Sequence, residues 1–170
     1  MSVANLPEPW LRGIWSDVPA VQRAVVHALE LACEDLDRWC APLTDAELNA
    51  RPGGVAPVAF HLRHIARSLD RLLTYAEGNE LNSTQTWALS AEMDEGGKHS
   101  ELFGELHEAL QKASRRVRAF APLEFEKPRL VGAKKIPTTL GGLLVHIADH
   151  TQRHVGQAIT TAKIARSHKC

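Results

Sequence analysis

The chain has 170 residues, 44% of them hydrophobic, which suits one compact domain around a single core, residues 1–170 taken together. Its 20 basic and 20 acidic residues balance and no basic block stands out, so the electrostatic footprint of a nucleic-acid binder is missing. No apolar run approaches the roughly 20 residues of a membrane-spanning helix, and MSVANLPEPWLRGIW lacks the charged start and apolar stretch of a signal peptide, so a cytoplasmic location is expected.

The pattern is helical almost throughout. From about Val18 to Cys40, the residues Val18, Val21, Val25, Leu29, Leu36 and Cys40 recur at spacings of three, four and seven. Ser16 or Asp17 is placed to cap this helix, with Pro19 in its first turn. Cys33 and Cys40 would lie on it roughly 10 Å apart along the axis, beyond disulfide reach, and read as small buried hydrophobes. Cys170, the last residue, is expected to be mobile. A linker with Pro52, Gly53, Gly54 and Pro57 follows, and inside it Thr44 with Glu47 resembles a capping box.

The second long helix runs from roughly Pro57 to Ala76, on the stripe Leu62, Ile65, Leu69, Leu72 and Ala76, with Gly78 as its stop. The polar stretch after it reads as a long crossover with a helical turn around Trp87 to Met93. A third helix spans roughly His99 to Phe120, with Leu102, Leu106, Leu110, Val117 and Phe120 on one face. An irregular passage holding Pro122, Pro128 and Pro137 leads to the last helix, about Leu140 to Ala165, which Thr138 or Thr139 could cap. No set of strands is expected. Four amphipathic segments with one apolar face each predict an all-α fold, a four-helix bundle with long crossover connections. The N-terminal piece with Trp10 and Trp15 is expected to cover one end of it, or to join an oligomer contact.

Five of the nine histidines fall in two of these helices: His61 and His64 in the second, and His146, His150 and His154 in the last. Steps of four bring side chains to one face, and two imidazoles on adjacent turns make half of a transition-metal site. Residues eight apart are separated by roughly 12 Å along the axis, too far to share an ion, so at most one adjacent pair ligates. Both pairs stay open on this argument, with a lean to His150 and His154, because Leu143, Ile147, His154 and Ala158 follow one line. A third ligand must come from the other helix, where His64 at the edge of the core stripe is favoured over His61. His27, His99, His107 and His168 read as solvated or locally hydrogen-bonded.

At these residues the chain resembles the DinB-like (DinB/YfiT) family. LTDAELNARPGG followed by VAFHLRHIARSLDRLLTYAEG is similar to the family's passage from first to second helix. TTLGGLLVHIADHTQRHVGQAI is similar to its last helix, where a histidine pair precedes a Gly-Gln step, here Gly156 and Gln157. The resemblance implies a four-helix bundle with a three-histidine metal centre, commonly zinc or nickel, and its ligands map onto His64, His150 and His154. It does not imply DNA binding. Relatives include thiol-dependent S-transferases, a maleylpyruvate isomerase and amidohydrolase-like members, and many are dimers.

Three neutral imidazoles leave a fourth position open on a tetrahedral ion, the layout of a catalytic site. An ion there would activate a water or a low-molecular-weight thiol. A metal-dependent transferase or hydrolase acting on a small molecule is therefore expected, against a non-catalytic bundle with a structural or ligand-sensing ion. No general base stands out. Asp149 is expected to face away from His150, while Gln157, His146 and His61 are neighbours with either a supporting or a merely structural role.

Overall fold

Six α-helices and a two-stranded hairpin make up the protein, seen in a computed structural model that describes residues 6–93 and 97–167. In chain order these are α1 (Ala20–Trp39), α2 (Asp45–Asn49), α3 (Val58–Ala76), α4 (Ser83–Ser90), α5 (His99–Ala119), β1 (Pro128–Val131), β2 (Ile136–Thr139) and α6 (Leu140–Ser167). His168 and Cys170 lie outside the described residues.

The four long helices, α1, α3, α5 and α6, form the bundle, and their stripes make its core. Val25, Leu29, Leu36, Leu62, Ile65, Leu69, Leu102, Leu106, Leu110 and Ile147 are each at most 4% exposed. Burying one such side chain contributes roughly 1.5–3 kcal/mol. On α6 the buried line also takes in Leu144, Thr151 and Val155, and His154 sits at its edge rather than in it.

Cross-helix contacts give the direction of each helix. Arg67 meets Glu105 and Arg116 meets Glu77, so α3 and α5 run parallel. Gln152 reaches the Ala28 carbonyl and Lys163 lies over the Trp39 ring, so α6 runs parallel to α1. His107 pairs with Asp37 and Gln22 with the Val117 carbonyl, so α1 and α5 are antiparallel. α3 and α6 are antiparallel too, and α6 packs between α1 and α3. The link from α3 to parallel α5 must return along the whole bundle, which is the long crossover that carries α4.

Local chemistry sets the helix ends. Thr44 and Glu47 form the full capping box expected at α2. After α3, Gly78 takes a φ of +85°, its N–H donates to the Tyr75 carbonyl and that of Asn79 to the Thr74 carbonyl, the pattern that only a left-handed residue closes. Thr139 Oγ1 accepts from the Gly142 N–H at the start of α6. Two expectations fail here. Pro19, not Ser16 or Asp17, occupies the N-cap of α1, with no side-chain cap bond. The crossover helix begins earlier than Trp87, at Ser83, because Asn82 and Gln85 build a second capping box.

The absence of strands is also overturned. β1 and β2 pair antiparallel, Val131 opposite Ile136 and Pro128 opposite Thr139. The prolines that read as irregularity are tolerated because both strands of a two-stranded ribbon are edges, where a missing N–H faces outward. Cys40 is buried as expected, whereas Cys33 is only half-buried and turns to Asp37. Trp15 packs against the core under the Arg118 guanidinium, 4.2 Å from the ring centre, while Trp10 is 60% exposed. Among the described residues no helix is long and apolar enough to cross a membrane.

Candidate metal centre

His61 and His64 occupy the first two turns of α3, and His150 and His154 the middle of α6. Because the helices are antiparallel, each histidine of one meets a histidine of the other. His64 Nε2 lies 3.2 Å from His150 Nε2, and His61 Nδ1 lies 3.1 Å from His154 Nδ1. One ligand atom from each of His64, His150 and His154 falls within 4.8 Å of the others. These are the three residues singled out from the sequence. All three are half-buried, so the cluster borders solvent on one side.

His61 is the most deeply buried of the four, at 4% exposure, and its Nδ1 contact is with His154. His146 is placed outside it. Its side chain is 45% exposed, and its Nδ1 lies 3.9 Å from the Asp149 carboxylate. Asp149 itself turns outward to Arg153, at 2.7 Å. Gln157 is exposed. The Phe60 ring stacks on His64, with centroids 5.3 Å apart and planes 21° from parallel, and walls one side.

Sequence reasoning missed Glu92, which follows α4 in the crossover. It is 4% exposed, and its Oε2 accepts from His64 Nδ1 at 2.7 Å. Its other oxygen takes the Arg71 guanidinium, and its carbonyl receives Arg63. No local motif announces Glu92, since its partners lie 21 and 28 positions away. The only signal available was an ionisable residue in a segment that must return past the start of α3.

The electrostatics follow from burial. Desolvation, then the neighbouring imidazoles, push His61 and His150 down to about 4. Desolvation, His64 and Arg153 do the same to His154, also to about 4. These rings are neutral at physiological pH, the form that ligates. Burial opposes ionisation of Glu92, but the hydrogen bonds from His64 and Arg71 and the guanidinium charge outweigh it, so the carboxyl is held below its usual range.

The donor set fits a divalent transition ion. Two nitrogens each about 2.1 Å from one ion stand about 3.4 Å apart in a tetrahedron and about 3.0 Å apart at right angles. The 3.2 Å between His64 and His150 lies between these values. With His64 Nδ1–H committed to the Glu92 carboxylate, the Nε2 lone pair faces the cluster. Buried His150 Nδ1 has no partner among the described residues. A proton there leaves Nε2 of His150 free to ligate.

An up-down-down-up bundle with imidazoles converging from two antiparallel helices defines a helical-bundle protein with a candidate three-histidine metal centre. The chain belongs to the DinB superfamily, whose model matches residues 28–158. In fold it is similar to YfiT from Bacillus subtilis, with a TM-score of 0.63 and 18% identity, over 86% of this chain and 87% of that one. YfiT is described as a probable metal-dependent hydrolase with an unusual four-helix bundle topology. Among curated proteins, none matches the chain.

Proposed function

We propose that this chain is a metal-dependent enzyme, a hydrolase or transferase, in which His64, His150 and His154 hold one divalent ion, zinc or nickel. The observation that carries the reading is the convergence of three half-buried histidines with no fourth protein ligand in the group. An ion held there would supply Lewis acidity and lower the pKa of a water or thiol at its open position. The chain's own residues hold the geometry. Glu92 keeps the His64 proton on Nδ1 and fixes the ring. His154, ligating through Nε2, would carry its proton on Nδ1 and donate to His61. Phe60 shields one side of His64 from water.

The description of YfiT supports the hydrolytic arm, and the family resemblance supports a low-molecular-weight thiol as the alternative nucleophile. The substrate is a small molecule, since the balanced charge offers nothing to nucleic acid. A cytoplasmic setting is in keeping with a free thiol at Cys33 and at Cys40. Exposed Trp10 and Leu11 offer a surface for a homodimer, which light scattering would detect.

The test is elemental analysis of protein purified without affinity-tag metal. Wild type is expected to carry stoichiometric ion and His150→Ala to lose it, and full occupancy in the variant would overturn the ligand set. The competing reading is a structural or ligand-sensing ion. The metal-free chain separates the two: if the ion holds the fold, the chelated protein is unfolded, whereas a catalytic ion leaves a cooperatively folded metal-free bundle whose melting temperature falls only by the binding contribution.

A further inference from the structure

We propose that Cys33, Asp37 and His107 form a second transition-metal site, of mixed sulfur, oxygen and nitrogen donors, in the groove between α1 and α5. This groove lies diagonally across the bundle from the histidine cluster between α3 and α6, and the proposal does not depend on how that cluster is used.

The geometry is already close to a coordination sphere. Cys33 and Asp37 sit one turn apart on α1, with Sγ 3.7 Å from Oδ2. His107 projects from antiparallel α5 and places Nε2 2.8 Å from Asp37 Oδ1. One ligand atom from each of the three falls within 4.8 Å of the others. A sulfur at about 2.3 Å and an oxygen at about 2.1 Å from a tetrahedral ion stand about 3.6 Å apart, near the Sγ–Oδ2 distance. The His107 contact is to the other oxygen, so an ion held through Oδ2 requires the carboxylate or the imidazole to turn until nitrogen and oxygen stand about 3.4 Å apart. The Asp37 and His107 side chains are 46% and 40% exposed and free to make that turn.

A second observation points to the same groove. Glu30, one turn before Cys33, helps line a cavity of about 550 Å³ with Cys33, Asp37, His107, Leu29 and Leu110. Its Oε1 accepts from Trp15 Nε1 at 2.6 Å, but its Oε2 is buried with no hydrogen-bond partner among the described residues. A buried unpaired carboxylate oxygen is costly. A water on an ion at Cys33 would provide the donor it lacks. Leu29 and Leu110 line the groove beside the donors, together with Gln111, Ser114 and Arg115.

Thiolate and imidazole together select a borderline ion such as Zn²⁺ or Co²⁺ over Mg²⁺ or Ca²⁺. Burial, then the Asp37 carboxylate, pushes the Cys33 thiol up to about 11, so without an ion it is protonated and a poor nucleophile. Binding breaks the S–H bond, forms a metal–sulfur bond and releases one proton to solvent. No oxidation state changes.

The test is titration of the metal-free full-length chain with Co²⁺ alone. Nitrogen ligands give no intense near-ultraviolet band, whereas a cysteine thiolate gives a strong sulfur-to-cobalt charge-transfer band. Wild type is expected to develop that band and His150→Ala to keep it, as is Cys170→Ser. Cys33→Ser is expected to abolish it. His107→Gln, a change on the α5 surface that removes one ligand and leaves the thiol in place, is expected to weaken cobalt binding by at least the roughly tenfold that losing even a partner behind a ligand costs. No band in wild type would overturn the site. So would a band that survives Cys33→Ser, one that disappears in Cys170→Ser, or one that His107→Gln leaves at full affinity.

Discussion

Nδ1 of His64 lies 2.7 Å from Oε2 of Glu92, although 28 positions separate them in the chain. The pair joins the first turns of α3 to the crossover that follows α4, and Arg71 on α3 holds the same carboxylate from its other oxygen. One imidazole of the cluster is thereby given a fixed tautomer by a residue whose hydrogen bond in the cluster is to His64.

Glu92→Gln should weaken metal binding by roughly 10–100-fold, the usual effect of losing a carboxylate behind a ligating imidazole. Chelator competition measures it. Glu92→Ala should in addition lower stability by about 1–3 kcal/mol, because the buried Arg71 guanidinium loses its partner. Urea unfolding reads that loss, and wild-type values for both variants would show the pair to be incidental.

His146→Ala and His150→Ala should part company. His146 is 45% exposed and lies beyond the cluster, so its removal should leave metal content unchanged and stability within about 0.5 kcal/mol. His150→Ala should empty the site. His61→Ala should fall between them, since the hydrogen bond of His61 in the cluster is to His154. Equal metal loss in His146→Ala and His150→Ala would contradict the placement.

Acid should destabilise the metal-free protein. In the unfolded chain the histidines take up protons near 6.5. In the fold, burial and neighbouring imidazoles hold His61, His150 and His154 down to about 4. Between those values the unfolded state binds more protons, so stability falls as pH drops from about 6.5 towards 4. Urea midpoints taken without metal at pH 7.5, 5.5 and 4.5 should decrease in that order. A flat series would mean that these rings titrate normally.

Leu69→Ala should cost about 2–5 kcal/mol, the range for truncating a fully buried leucine. Leu69 is 1% exposed and lies two turns from His61, in the centre of the core. Metal affinity of the folded fraction should not change, because no cluster residue rests on Leu69 alone. Thermal unfolding alongside metal titration separates the two effects.

Much of the bundle was legible as periodicity. A stripe such as Leu62, Ile65 and Leu69 reports which face a helix buries, and local residues such as Thr44, Gly78 and Thr139 report where a helix begins or stops. The hairpin was not legible, because Pro128 and Pro137 argue against strands unless both strands are known to be edges. The start of α1 was misread for a similar reason: Pro19 at the N-cap donates and accepts nothing through its side chain, so it leaves no polar signature.

The histidine cluster divides along the same line. Helix rise alone shows that His146 and His154 cannot share an ion, and the four-residue spacing brings His150 and His154 to one face. These are properties of one helix, set by its fixed geometry. Which helix stands opposite, and in which direction it runs, is a tertiary matter. Antiparallel packing of α3 on α6 puts His64 against His150 and His61 against His154; parallel packing of the same sequence would exchange the partners. Glu92 enters only because the crossover returns past α3, and Cys33 meets His107 only because α1 lies beside α5. Periodicity encodes the environment of a residue within its own helix, while partners contributed by other segments depend on chain direction and topology, which no local pattern carries.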